Sequence, residues 1–340
     1  MENPQKIIVL GAGSFGTSLG HHLAGRGHDV TIWGRDHQVT QDISQNHKNS
    51  KYLDSIPLHK ELFATSDLAS LDFRNASAIL LAIPTQHLRS VLSLCKKELQ
   101  HTSPLIISAI KGIENKTLAF PKDIIASELG GNILKDYVSL SGPSFAIEVL
   151  KGLPTCVSLA SKNPDASLKA QKIFHAPHFR SYTSHDPIGL ELAGALKNVI
   201  AIASGACDGL GFESNSQAAL ITRGLSEMTR LGVSLGANPL TFTGLGGVGD
   251  LFLTSTSLKS RNYRAGFQLA KGDTLPNIIK AMGSVAEGIT TSLSAYELSK
   301  KQSLDLPILH AVYEVVHDSK PIKEAVTQLL SRDAKPELTL

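Results

Sequence analysis

The chain has little cysteine: Cys95, Cys156 and Cys207 are the only three in 340 residues, far apart and without a Cys-x-x-Cys pair. That excludes a disulfide framework and a thiolate zinc site, and it suits a reducing cytoplasm. Aromatic residues are scarce at 5 %, and no charge sign dominates, since 33 Lys and Arg face 30 Asp and Glu. With no block of basic residues, a polyanion-binding surface is not expected, so no nucleic-acid partner is expected. Long hydrophobic runs are missing too: no segment reads as the roughly 20 apolar residues of a membrane span, so no membrane partner is expected. Behind a polar amino terminus, the apolar stretch Ile7–Leu10 breaks into glycine too soon for a secretory signal. The pair His175-Ala-Pro-His178 carries a proline that argues against a helical ligand site, so no metal is expected. What the chain does have is glycine, 28 residues of it, and a length that favours two domains.

Short runs rich in Ile, Val and Leu at Ile7–Leu10, Val30–Trp33, Ala78–Ile83, Leu105–Ala109, Val138–Ser141 and Thr155–Ala160 alternate with helical stretches. This predicts a doubly wound parallel sheet covered by helices. From about Asp186 apolar residues recur three and four apart, as in Leu190, Ala193, Leu196 and Ile200, then Leu220, Leu225, Met228 and Leu231. That spacing predicts an all-α domain. Pro187 suits a helix start, so the expected division is an α/β domain over 1–187 and an all-helical domain over 188–340.

Lys6-Ile-Ile-Val-Leu10 runs into Gly11-Ala-Gly13-Ser-Phe-Gly16, a strand, a glycine turn and a helix opening. Gly11 permits the turn, Gly13 lets backbone approach a pyrophosphate, and Gly16 allows close helix packing. The helix amino terminus adds N–H groups and a positive dipole end, so this half reads as a Rossmann dinucleotide-binding domain. About 20 residues on, the acidic residue that binds a ribose 2′-hydroxyl is preceded by Gly34 and Arg35. A guanidinium there favours NADP(H), while Asp36 keeps NAD(H) possible. Lys111, at the rim after the fourth of these runs, suits an anionic ligand.

In the helical half, Lys197 stands among Ala193, Gly194, Ile200 and Ala201. Desolvation there would lower its pKa into a range useful for proton transfer; a lysine snorkelling from a half-buried face is the alternative. Gly244-Leu-Gly246-Gly247-Val-Gly249-Asp250 imitates the first fingerprint but has no strand before it, so it is read as a decoy that lets backbone and substrate approach. Ser260-Arg261-Asn262, opening a helix, reads as an anion cradle.

Together these motifs, with Trp33-Gly-Arg35, Lys111-Gly-Ile-Glu114, Ser141-Gly-Pro143-Ser144-Phe-Ala146 and Gly194-Ala-Leu-Lys197-Asn198-Val, resemble the bacterial NAD(P)-dependent glycerol-3-phosphate dehydrogenases over nearly the full chain. The resemblance implies reversible reduction of dihydroxyacetone phosphate to sn-glycerol 3-phosphate, the entry to phospholipid backbones, by a cytoplasmic homodimer. It implies Lys197 as proton donor and acceptor, with Lys111 and Asp250 beside it. Gly142, Ser144, Asn198, Thr254, Ser260, Arg261 and Asn262 complete the implied substrate set with those three. Gly11, Gly13, Ser14, Phe15, Gly16, Arg35, Lys111, Ala146, Arg261, Val285 and Glu287 form the implied cofactor set. Ser255 departs from the family, where cysteine is frequent. A ketopantoate-reductase-like enzyme and a non-catalytic NADP(H) sensor are the competing readings; the phosphate cradle argues against the first, and Lys197, Asp250 and Arg261 would be superfluous in the second.

Overall fold

The runs of the first half are mainly apolar, with only Thr or Ser between the aliphatic residues, as strands covered on both faces allow. In the computed structural model, which describes residues 3–100, 102–283, 286–334 and 336–337, they form one eight-stranded sheet. Its strands are β1 (Lys6–Leu10), β2 (Asp29–Trp33), β3 (Phe63–Thr65), β4 (Ala78–Leu81), β5 (Leu105–Ser108), β6 (Tyr137–Ser141), β7 (Thr155–Ala160) and β8 (Phe179–Ser184), in the order β3-β2-β1-β4-β5-β6-β7-β8. The strand order reverses between β1 and β4, the switch point at which doubly wound sheets bind ligands beyond the carboxyl ends.

Two features correct the expected all-parallel sheet of six strands. β7 runs antiparallel to β6, while the other neighbours are parallel. The helix connecting them, Ala146–Leu150, has 5 residues and rises only about 7 Å, too little to return the chain to the far end of the sheet. β3 and β8 are edge strands absent from the sequence reading: Phe63–Thr65 is too short to show a period, and Phe179–Ser184 alternates buried and exposed residues instead of forming an apolar run.

By compactness the chain divides into Met1–Ile110 with Phe120–Pro187, and Lys111–Ala119 with Ile188–Leu340. A single cut after residue 187 therefore misplaces Lys111–Ala119, which belongs with the helices. The reason is polar: the Ser294 hydroxyl donates to the Ile113 carbonyl at 3.2 Å and meets the Asn115 side chain, and Lys111 pairs with Asp250.

In the second unit the Pro187–Gly209 helix is 23 residues long and passes, by length and composition, as a membrane span, contrary to the sequence expectation. Its apolar window is 83 % buried inside the protein, so here it is a core helix. The Arg261–Ala270 helix lies on it with backbone almost in contact. A Cβ on Gly205 would stand 1.9 Å from the Tyr263 carbonyl oxygen, and one on Gly266 1.8 Å from that of Ile202, so neither position accepts a side chain without separating the helices. This crossing positions the start of the Arg261–Ala270 helix relative to Lys197.

Candidate active site

β1 ends at Leu10 and the chain turns at once. Gly11 has φ +127°, and its Cβ would lie 2.4 Å from the Ala82 carbonyl oxygen just past β4. Gly16 is equally constrained, because its Cβ would lie 2.0 Å from the Gly11 oxygen, so the helix Ser14–Gly25 closes onto the turn itself. Gly13 is different: nothing stands within 4 Å of a Cβ there. It is the N-cap of that helix with no side-chain cap, and the first turn carries no acidic residue. Open space beside an uncapped helix start fits the diphosphate of a dinucleotide. Ser14 is half-buried at this start, and Phe15 and Ala146 pack against the core of the sheet.

Beyond β2, Arg35 is exposed. Asp36 is occupied as a cap: its Oδ1 accepts from the Gln38 and Val39 N–H groups and its Oδ2 pairs with Lys51 Nζ at 2.8 Å. After β6, a Cβ on Gly142 would meet Val157 Cα at 2.8 Å, and the Ser144 hydroxyl donates back to the Gly142 carbonyl at 2.9 Å. Both residues are thus used in turning the chain.

The second unit holds the charged cluster. Lys197 sits on the core helix at 5 % exposure, with Ala193, Ile200 and Ala201 fully buried around its turn, which excludes the snorkelling alternative. Its Nζ donates to Asp250 Oδ1 at 2.5 Å and to Thr254 Oγ1 at 2.7 Å, while the Thr254 hydroxyl donates to the Asp250 carbonyl. Lys111 Nζ takes the other carboxylate oxygen, Oδ2, at 2.6 Å. Two ammonium groups therefore share one buried carboxylate. Burial pushes the Lys197 ammonium down to about 7; Asp250 pulls it back up and the charge of Lys111 adds to the push. Burial alone would raise the Asp250 carboxyl, but Lys111 and Lys197 outweigh it and hold the group below its ordinary value.

Ser260 caps the Arg261–Ala270 helix, its Oγ accepting from the Tyr263 N–H at 3.2 Å, and Arg261 is exposed at the first helical position. Asn262 and Asn198 are engaged with each other: Asn262 Nδ2 donates to Asn198 Oδ1 at 2.9 Å, and Asn262 Oδ1 accepts from the Gly288 N–H at 2.9 Å. Together they tie three helices. Glu287 opens the helix Glu287–Lys301; burial pushes its carboxyl up to about 7 against the pull of Arg261. Val285 lies outside the described residues. Among the described residues no group of three His, Cys, Asp or Glu is arranged to hold a metal.

Residues 6–167 match the family model for the NAD-dependent glycerol-3-phosphate dehydrogenase N-terminus, and 186–327 match that for its C-terminus. The glycerol-3-phosphate dehydrogenase [NAD(P)+] of Leptospira biflexa is 46 % identical over 98 % of this chain and 99 % of its own length. The chain belongs to the glycerol-3-phosphate dehydrogenase family. The enzyme of the same name from Nitratidesulfovibrio vulgaris Hildenborough is also 46 % identical, over 98 % of this chain and all of its own. A crystal structure of glycerol-3-phosphate dehydrogenase from Coxiella burnetii superposes with a TM-score of 0.91 at 36 % identity, covering 97 % of this chain and 99 % of that one. As a glycerol-3-phosphate dehydrogenase the protein is an NAD(P)-dependent oxidoreductase acting on CH–OH groups.

Sequence reading named all three charged members of the cluster, Lys111, Lys197 and Asp250, but not the part that Thr254 plays in holding it. Thr254 entered as a substrate contact and is seen as an acceptor for Lys197; its spacing of one helical turn from Asp250 was the available signal. Gly205 and Gly266 carried no chemical signal, only small size at a crossing.

Proposed function

We propose that Lys197 is the proton donor in NAD(P)H-dependent reduction of dihydroxyacetone phosphate to sn-glycerol 3-phosphate, and the proton acceptor in the reverse direction. The observation that carries this is the buried ammonium, held by Asp250 and Thr254 and loosened by burial to about 7. When NAD(P)H is bound it supplies a hydride to the carbonyl carbon. The carbonyl oxygen would then become an alkoxide; the Lys197 ammonium gives it a proton, leaving a neutral amine and the product hydroxyl. A pKa near neutrality allows the same group to take that proton back. Lys111, on the other carboxylate oxygen, adds a second positive charge that favours an anionic substrate. Ser260 and Arg261, with the positive end of their helix, would hold the phosphate. The product is the backbone precursor of glycerophospholipids.

Gly11, Gly13, Ser14, Phe15 and Gly16 would hold the dinucleotide. NADP(H) is favoured over NAD(H) because Arg35 is exposed beyond β2 while the Asp36 carboxylate is taken up as a helix cap and ion-pair partner. Three unpaired cysteines support a cytoplasmic enzyme. Replacing Lys197 by Ala tests the central role: kcat should fall by about 10³-fold with the Kd for NADPH unchanged, by steady-state kinetics and calorimetry. A Lys197→Ala enzyme that keeps its kcat refutes it.

A further inference from the structure

Asn49 lies in the loop after the helix His37–Asn46 and is fully buried. Its Nδ2 donates to the Ala12 carbonyl at 3.1 Å and to Thr17 Oγ1 at 2.8 Å, while its Oδ1 is buried without a partner among the described residues. An unpaired buried acceptor costs free energy that an apolar side chain would avoid, so the position serves for its two donors. Ala12 is the residue between Gly11 and Gly13. The peptide joining Ala12 to Gly13 is planar and trans, so its carbonyl and its N–H point to opposite sides. Drawing the Ala12 carbonyl inward onto Asn49 therefore turns the Gly13 N–H outward, at the residue where a Cβ would meet nothing within 4 Å.

The loop is itself held in place. The Asn49 carbonyl accepts from the N–H groups of Tyr52 at 3.1 Å and Leu53 at 2.8 Å, and Asp42 accepts from its neighbours Lys48 and Ser50. Leu53 and Leu58 anchor the loop in the core. On the other flank the Gly11 N–H donates to the Trp33 carbonyl at 2.9 Å, and a Cβ on Gly34 would stand 2.5 Å from that of Ala12. While Asn49 is present its hydrogen bond holds the Ala12 carbonyl in this orientation.

We propose that Asn49 is a positioning residue for the cofactor: by fixing the Ala12–Gly13 peptide it aims the Gly13 N–H at the dinucleotide diphosphate. This rests on the reading that the glycine turn cradles that diphosphate, and the test separates the two.

In the full-length enzyme, Asn49→Ala and Asn49→Asp, the second keeping the side chain's size while removing its donor, should raise the Kd for NADPH by about tenfold or more in calorimetry. The KM for NADPH should rise in parallel, with kcat and the KM for dihydroxyacetone phosphate within about twofold of wild type. Thr17→Val loses the second acceptor but keeps the Ala12 bond, so its Kd should stay within about twofold. If the Asn49 variants lower Tm yet bind NADPH normally well below Tm, or if Thr17→Val weakens binding as much as they do, the positioning role is overturned. Gly13→Val fills the open space without a clash: loss of NADPH binding at an unchanged Tm supports the cradle, and normal binding overturns the reading of the turn itself.

Discussion

Two glycine-rich segments, Gly11-Ala-Gly13-Ser-Phe-Gly16 and Gly244-Leu-Gly246-Gly247-Val-Gly249, are spelled almost alike and do opposite work. The first follows β1 and leaves Gly13 beside open space. The second follows the short helix Pro239–Phe242. There Gly247 adopts φ −93° and ψ −105°, and its Cβ would stand 2.1 Å from the Phe242 carbonyl oxygen. The chain folds tightly back on itself and opens the helix Asp250–Ser255, whose first residue is the carboxylate between the two lysines. One segment omits side chains to expose a backbone; the other omits them to bury a side chain. The element before each decides which.

The comparison breaks most severely at Asp250. Asp250→Asn should reduce kcat/KM for dihydroxyacetone phosphate by about 10²–10³-fold, since the buried Lys197 ammonium and the half-buried Lys111 ammonium lose their shared partner. Its pH profile is the sharper readout. The carboxylate raises the Lys197 pKa, so without it the ammonium loses its proton at lower pH, and the reductive rate should begin to fall at lower pH than in the wild type. A high-pH limb that does not move would leave Asp250 a scaffold only.

Stability separates the two turns next. Gly247→Ala should cost about 1–3 kcal/mol in urea unfolding because backbone must shift, whereas Gly13→Ala should stay within about 0.5 kcal/mol. Equal costs would mean that the open and the closed turn are not distinguished by sterics. The smallest effect is expected at the edge of the first segment's site: Arg35→Ala should lower the NADPH-to-NADH ratio of kcat/KM by about tenfold. An unchanged ratio would remove Arg35 from cofactor choice.

Local pattern carried the strands β1, β2, β4, β5, β6 and β7, the switch to helices near Pro187, and Lys197 as a buried lysine. Each is signalled within a few residues, by an apolar run, a proline or an apolar turn of helix. Edge strand β8 escaped because half of its residues face outward. Asn198 and Asn262 were legible as polar groups near the chemistry, but not as each other's partners, which depends on how two helices cross.

The sequence by itself determined the two architectural halves, the strand-turn-helix at Gly11–Gly16 and the family, because periodicity and glycine spacing act over one strand or one turn. Only the tertiary structure decided that Lys111 joins the helical unit, that it shares Asp250 with Lys197 across 139 and 53 positions of sequence, and that Asn49 holds Ala12 from 37 positions away. Those contacts depend on how whole elements pack, through close approaches such as Gly205 against Tyr263, and no local pattern records where two distant segments will meet.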